Sequence, residues 1–174
     1  MSTANLKIEG TCDGRFAGVK EAFMNNFSEH GELGASVAVY FNGEPVVDLW
    51  GGFRDPGRTK RWSKDTLCAS FSVSKAFVSV MGYMLIDRGL LDIEKPVAYY
   101  WPEFAQNGKD NVTVRDIFQH QAALAYVDAE LKPGDLYDWE TMTTALAASA
   151  RHPPFSDQQT YLNLTYGYLL GEVI

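Results

Sequence analysis

The segment from Ala35 to Trp50 constrains the fold more strongly than any other part of the sequence. Two runs rich in valine and aromatic residues, 35–41 and 44–50, flank the dipeptide Asn42-Gly43. Asn-Gly between such runs is a strong hairpin signal, because both residues tolerate the positive φ angles of a two-residue turn. The sequence therefore predicts an antiparallel hairpin. Two strands are too few for a stable sheet, so we expect further polypeptide to complete it.

Most of the remaining pattern is helical. Apolar spacing, capping residues and terminating glycines or prolines predict helices over these segments: 16–30, 72–89, 113–120, 139–150 and 161–174. The order of elements predicts an α/β fold of the α+β type. Residues 1–70 would contribute a helix and the hairpin, and residues 71–174 would form a mainly helical part. Ile174 lies inside an apolar helical pattern, so we expect the fold to continue beyond it.

Composition excludes several classes of function. The 174 residues carry a net charge of −7 and no basic patch, which argues against nucleic-acid binding. No segment approaches the run of about 20 apolar residues that spans a membrane. The first residues lack the apolar core of a signal peptide, which predicts a cytoplasmic protein. Cys12 and Cys68 are then expected to stay reduced, with Cys68 as a small core residue.

The stretch Ser72-Val73-Ser74-Lys75 is the strongest candidate for chemistry. On a helix, residues three apart share a face, so the Lys75 amine can lie beside the Ser72 hydroxyl and take its proton. The amide groups of a helix start favour the anionic centre that follows nucleophilic attack. About one such match is expected by chance in a chain of this length, and the competing interpretation is a serine N-cap with a solvent-exposed lysine.

The helix that begins at Ser72 strengthens the chemical interpretation. Its sequence is apolar on nearly every face, which predicts a buried helix. A lysine on a buried helix is costly unless it is paired or has a lowered pKa. We therefore expect Lys75 to be paired or to have a lowered pKa, the state that a proton acceptor requires.

Several short segments, in a fixed order, carry a family resemblance: 34–39, 46–52, 65–67, 72–75, 87–92, 100–104, 112–117, 120–124, 161–163 and 166–171. Together they resemble the serine β-lactamase and penicillin-binding-protein superfamily, in particular its class C-like branch, which includes the family VIII carboxylesterases. The resemblance covers the chain from about Gly14 to Ile174. It implies a partial β-lactamase-like domain, with an antiparallel sheet flanked by helices, a helical subdomain and the C-terminal strands missing.

The resemblance also implies roles for individual residues. Ser72 would be the nucleophile that forms an acyl-enzyme, and Lys75 its proton-accepting neighbour. Tyr161 and Asn163 match a Tyr-x-Asn motif. Tyr161 would shuttle protons to the leaving group, and Asn163 would line the site and orient the substrate or Lys75. No metal or organic cofactor is implied.

Relatives carry a third motif, Lys-Thr-Gly or a variant, on a late strand that also supplies a second oxyanion donor. We expect this strand to lie outside the 174 residues. The backbone N–H of Ser72 would be the first donor, and losing one donor typically costs about 10²–10³ in rate.

Other candidates have simpler interpretations. Ser36 lies in a predicted strand and lacks the context of a nucleophile elbow. His30, His120 and His152 have no metal-ligand spacing, and His120 fits a helix-capping or packing role. A set of aromatic residues could line an acyl pocket or serve as packing: Tyr99, Tyr100, Trp101, Tyr126, Tyr137 and Trp139.

The sequence leaves three functions open. The first is a serine hydrolase acting on a small-molecule carboxylic ester. The second keeps the fold but acts on a β-lactam or D-alanyl peptide, or transfers the acyl group to another acceptor. The third is an inactive fragment that depends on further polypeptide, which predicts exposed apolar surface and association through an incomplete sheet edge.

Overall fold

The computed structural model describes residues 6–152 and 158–174, and the chain divides into two compact units, Met1–Ala69 and Ser70–Ile174. Within the described residues the strands are β1 (Ile8–Cys12), β2 (Gly34–Phe41) and β3 (Glu44–Gly52). The α-helices there are α1 (Ala17–Ser28), α2 (Ser74–Asp87), α3 (Val97–Tyr100), α4 (Val114–Phe118), α5 (Trp139–Ala148) and α6 (Thr165–Gly171). This small antiparallel sheet with helices confirms the predicted mixed fold.

The predicted hairpin is present in the first unit. Asn42 and Gly43 have φ angles of 51° and 82° and join β2 to β3 in an antiparallel pair. Val47 and Leu49 are two residues apart on β3, so they share a face, and both are 1% exposed. They pack with Phe23 of α1 in the core of this unit.

The strand β1 was not predicted. It pairs antiparallel with the other side of β3, so the order among the described strands is β1-β3-β2. Gly10 interrupts the strand pattern with a φ angle of 106°, and a Cβ atom there would collide with the carbonyl oxygen of Asp48. Glycine weakens the strand pattern of a sequence, which is why β1 was not predicted. The close approach of Gly10 to Asp48 is a feature of the tertiary structure.

The second unit has its own apolar core. Tyr166, Leu169 and Leu170 of α6 are at most 2% exposed and pack with buried residues of the neighbouring helices and loops. The predicted capping box is present at α4. The Thr113 hydroxyl accepts the N–H of Asp116 at 3.2 Å, and the Asp116 carboxylate accepts the N–H of Thr113 at 2.8 Å.

The burial predicted for the helix after Ser72 is wrong in this chain. The α-helix begins at Ser74 after a 3₁₀ turn, Phe71–Val73, and Gly82 is its buried residue. Gly82 lies against the ring of Phe118, so the backbone approaches the core closely there. Only a narrow stripe of α2 packs on that core, and the following apolar side chains stay exposed: Phe77, Val80, Met81, Tyr83 and Met84.

Two smaller predictions also need correction. Cys68 is exposed and is therefore not a core residue. The helix predicted from Tyr161 begins four residues later, at Thr165. Tyr161 and Asn163 consequently lie in the loop that leads into α6, where they are both exposed. None of the helices in the described ranges is long and apolar enough to cross a membrane.

Candidate active site

Ser72 lies at an exposed corner of the second unit. Phe71, the preceding residue, has a φ angle of 45°, an unfavourable conformation for a bulky side chain, and it turns the chain sharply into α2. The N-cap position of α2 is Val73, and no side chain caps it. The simple N-cap interpretation of Ser72 therefore does not hold. Its hydroxyl instead lies 3.3 Å from the Lys75 ammonium, which donates to it.

Lys75 joins α2 to the loop before α6. Its Nζ donates to the carbonyl oxygen of Asn163 at 2.6 Å. The same Nζ lies 4.9 Å from the ring centroid of Tyr161 and 6.0 Å from that of Tyr166. Lys75 is thus paired, which is one of the two states expected of it. The partners are a carbonyl, a hydroxyl and two aromatic faces. They contact Lys75 although α2 itself is not buried.

Tyr161 is the second polar group beside Ser72. Its side chain is 51% exposed, so it is not a core aromatic. A hydrogen bond with the Ser72 hydroxyl, together with the Lys75 ammonium, lowers the pKa of Tyr161 below its ordinary value, although partial desolvation works in the opposite direction. Both contacts favour the phenolate over the phenol.

Asn163 contributes to this arrangement through its backbone. Its carbonyl oxygen holds Lys75 while its side chain is exposed to solvent. The backbone contact holds Lys75, and because any residue could supply this carbonyl, it does not test the role predicted for the asparagine side chain. A substrate contact of the Asn163 amide remains a prediction.

Two further residues connect α2 to α6, and neither was predicted to belong to the site. Ser79 donates to the carbonyl oxygen of Lys75 at 2.9 Å, and its Oγ lies 2.8 Å from the Tyr166 hydroxyl. Because Ser79 uses its proton on the carbonyl, Tyr166 is the donor to Ser79. Burial raises the pKa of Tyr166, which keeps it a neutral donor. Ser79 follows Lys75 by one helical turn, and this spacing is the signal in the sequence that could have found it.

His120 packs against both tyrosines. Its ring centroid lies 4.9 Å from that of Tyr161 and 4.8 Å from that of Tyr166. Its Nδ1 accepts the backbone N–H of Leu162 at 3.0 Å. Burial, assisted by the Lys75 charge, lowers the pKa of His120. The predicted packing role is present, and it places the ring beside a proposed catalytic group.

The aromatic residues considered for an acyl pocket are dispersed. Tyr137 and Trp139 line a cavity of about 470 Å³ together with residues of α2 and α6. Tyr126 lines another cavity of about 290 Å³, and Trp101 lies in the apolar core. In residues 6–152 and 158–174, no group of three or more His, Cys, Asp or Glu side chains is placed to hold a metal ion.

Comparison with known proteins identifies the family. The profile described as Beta-lactamase matches residues 18–174, so the chain belongs to the beta-lactamase family. The protein named Esterase/beta-lactamase LipL, from Mycobacterium tuberculosis, is 39% identical over 168 residues. That match covers 97% of this chain and 39% of LipL, so the chain spans well under half of its relative's length.

Solved structures agree with this assignment. A penicillin-binding protein homolog from Caulobacter crescentus is 45% identical with a TM-score of 0.90. A family VIII carboxylesterase is 40% identical with a TM-score of 0.86. Each match covers 96% of this chain and 45% of the other chain. The resemblance to this family, and to its carboxylesterase and penicillin-binding branches, is thereby confirmed.

Proposed function

We propose that this chain carries the nucleophilic centre of a serine hydrolase that cleaves small carboxylic esters through an acyl-serine intermediate. The observation that carries the proposal is the meeting of three groups, the hydroxyl of Ser72, the ammonium of Lys75 and the phenol of Tyr161. A nucleophile within hydrogen-bond reach of a base, with a third group orienting that base, is the general arrangement for nucleophilic catalysis.

In the first half of the reaction, Ser72 Oγ attacks the acyl carbon and transfers its proton to Tyr161 in the phenolate form. The backbone N–H of Ser72 is assigned as one donor to the resulting oxyanion. Collapse of the intermediate breaks the bond to the alcohol oxygen, which takes the proton from Tyr161 and leaves. In the second half, water attacks the acyl-serine and gives a proton to Tyr161. Ser72 Oγ takes that proton when the carboxylic acid departs.

The family resemblance assigned the proton-accepting role to Lys75, whereas in the proposed reaction it belongs to Tyr161. The two candidate bases can be compared by their contacts. Lys75 Nζ donates to both the Asn163 carbonyl and Ser72 Oγ, an arrangement that suits a cation. The shift of the Tyr161 pKa below the ordinary tyrosine value of about 10 supports Tyr161 as the acceptor. Lys75 then stabilises the phenolate and holds Ser72.

The test is hydrolysis of a short-chain nitrophenyl ester by the wild-type chain and by Ser72→Ala. We expect a loss of about 10⁴–10⁶ in kcat/KM, the scale seen when a catalytic nucleophile is removed. A fluorophosphonate should label the wild type at Ser72, located by mass spectrometry. Ser74→Ala is the matched control, because its exposed hydroxyl contacts Ser70 rather than the site. Equal hydrolysis by wild type and Ser72→Ala at a rate above the uncatalysed one, or a wild type that is not labelled at Ser72, would overturn the proposal.

Hydrolysis of a β-lactam is the second candidate, and the name of the relative LipL, which joins esterase and beta-lactamase, favours testing it. The chemistry at Ser72 is the same, since a β-lactam is a cyclic amide that also acylates the serine. A chromogenic cephalosporin and the nitrophenyl ester, assayed on one preparation, separate the two. Faster turnover of the cephalosporin would reassign the substrate class and leave the role of Ser72 intact.

A further inference from the structure

His120 holds the chain on both sides of Tyr161. Its carbonyl oxygen accepts the N–H of Thr160 at 2.8 Å, and its side-chain Nδ1 accepts the N–H of Leu162 at 3.0 Å. Leu162 is 0% exposed, so its N–H would be costly to leave without an acceptor. The two bonds determine where the backbone of Tyr161 lies.

The ring of His120 also restricts the side chain of Tyr161. It contacts the rings of both Tyr161 and Tyr166, tilted by 42° to the first and by 26° to the second. Tyr166 is in turn bonded through Ser79 to the carbonyl of Lys75. The imidazole therefore links the phenol of Tyr161 to α2, which carries Lys75 and follows the turn that contains Ser72.

The hydrogen bond from the Leu162 N–H to Nδ1 indicates where the His120 ring carries its proton. Nδ1 accepts a proton from a backbone amide, so the proton of the neutral ring lies on Nε2. The titratable groups facing the ring are Lys75 on α2, Tyr161 before α6 and Tyr166 on α6. Lys75 is the charged group among them and opposes a second positive charge. Protonation at Nδ1 would replace the acceptor of the Leu162 N–H with a donor and release the loop.

We propose that His120 is a positioning residue for the reaction, which as a neutral imidazole holds the Tyr161 hydroxyl against Ser72 and Lys75. The inference rests on the proposed function of Tyr161. It assigns to His120 no contact with the substrate, and its effect is transmitted through the Leu162 N–H and the stacked ring.

Two variants separate the contributions of the ring. His120→Asn retains an acceptor near the position of Nδ1 and removes the stacking, whereas His120→Phe retains the stacking and removes the acceptor. A small misplacement of a reacting group can cost about 10²-fold in rate, so we expect His120→Phe to lose about 10–100-fold in kcat with little change in KM. His120→Asn should recover part of that loss. The pH at which activity rises with deprotonation of Tyr161 should increase in His120→Phe.

A spectroscopic measurement makes the test independent of turnover. With ¹³Cζ-labelled tyrosine in the full chain, the Tyr161 signal is assigned by its loss in Tyr161→Phe. Tyr161 should titrate below the ordinary tyrosine value in the wild type and nearer to it in His120→Phe. If the variant does not fold, ¹⁵N spectra of the wild-type histidines still decide, since His120 should have its proton on Nε2. A proton on Nδ1 would overturn the inference.

The outcomes also separate this inference from the proposed function. If Ser72→Ala abolishes hydrolysis while both His120 variants keep the wild-type kcat, pH profile and Tyr161 titration, only the role of His120 is wrong. If Ser72→Ala hydrolyses the ester as well as the wild type, the proposed function is wrong. A changed Tyr161 titration in His120→Phe would still support the positioning contact.

Discussion

Two lysines in the second unit donate to backbone carbonyls, yet their surroundings differ greatly. Lys109 is 0% exposed and donates to the carbonyls of Gln106 and Ala147 at 2.9 Å each, and also to that of Ser149. Its Nζ lies 5.1 Å from the ring centroid of Phe104. Lys75 is only partly buried and donates to one carbonyl and to the hydroxyl of Ser72.

The difference shows which contacts distinguish the lysine of the proposed site from a structural lysine. An ammonium has three N–H donors, and Lys109 uses all three on backbone carbonyls. These bonds connect the turn at Gln106 to the end of α5. Burial lowers the pKa of Lys109, yet no hydroxyl is bonded to it among the described residues. Lys75 is less buried, but it contacts a serine and a tyrosine. A perturbed pKa alone therefore does not identify the site, and the neighbouring hydroxyls do.

Among the changes that test the comparison of the two lysines, Lys75→Met should have the largest effect. Removing the ammonium takes away the charge that lowers the pKa of Tyr161 and the donor that holds Ser72. We expect ester hydrolysis to fall by about 10²–10⁴-fold, the usual range for general acid–base groups. The pH at which activity rises should move upward, because the phenolate forms later without the cation. The urea midpoint should stay near the wild-type value, and a large fall would mean that Lys75, like Lys109, is structural.

Lys109→Ala should lower the stability of the chain and leave its activity unchanged, the reverse of what we expect for Lys75→Met. The change to alanine removes the side-chain donor of three carbonyls and opens space against Phe104, so we expect a loss of about 2–4 kcal/mol in the free energy of unfolding. Urea denaturation followed by circular dichroism measures this loss. Lys109→Met keeps the apolar stem and separates packing from hydrogen bonding. Rates per folded molecule should be unchanged, and a slower acylation of Ser72 would contradict the distinction between the two lysines.

The same lysine predicts how stability depends on pH. Burial lowers the pKa of Lys109 in the folded chain below the unfolded value of about 10.4. Between these two values the unfolded chain binds the proton that the folded chain has released, so the free energy of unfolding rises with pH. Relative to Lys109→Met, the wild type should become more stable as the pH increases through this alkaline window. A difference that is constant with pH would show that the pKa of Lys109 is the same in the folded and unfolded chain.

The smallest effect is expected for Tyr166→Phe. This change removes the hydroxyl that donates to Ser79 and keeps the ring beside His120, so the free energy of unfolding should fall by about 1 kcal/mol. Hydrolysis should change much less than in Lys75→Met. A loss of activity as large as that of Lys75→Met would place Tyr166 in the proton transfer itself. Thermal unfolding and the nitrophenyl assay on the same preparation measure both quantities.

Much of the local structure could be predicted because it depends on short-range rules. Asn42-Gly43 encodes its turn through the φ angles it tolerates, and Thr113 with Asp116 encodes a helix start through reciprocal hydrogen bonds. The spacing of Ser72 and Lys75 likewise places both side chains on one face within a single turn. These features need only a few neighbouring residues.

The features that the sequence did not predict depend instead on long-range contacts. The pairing of β1 with β3 and the exposed apolar face of α2 depend on which distant segments lie alongside. The sequence marked Tyr161 by its motif but placed it on a helix. Its actual position in a loop follows from the bonds that His120 makes forty and forty-two residues away.

Residue types, spacing and family resemblance thus single out Ser72, Lys75 and Tyr161 as candidate site residues. Their arrangement was not predictable, because Lys75 finds its carbonyl on Asn163, 88 residues away. The role of His120 and the structural use of Lys109 depend on such long-range contacts as well. Local periodicity determines which face of a helix a side chain occupies. The residue that the side chain contacts on that face is determined by how segments distant in sequence pack together.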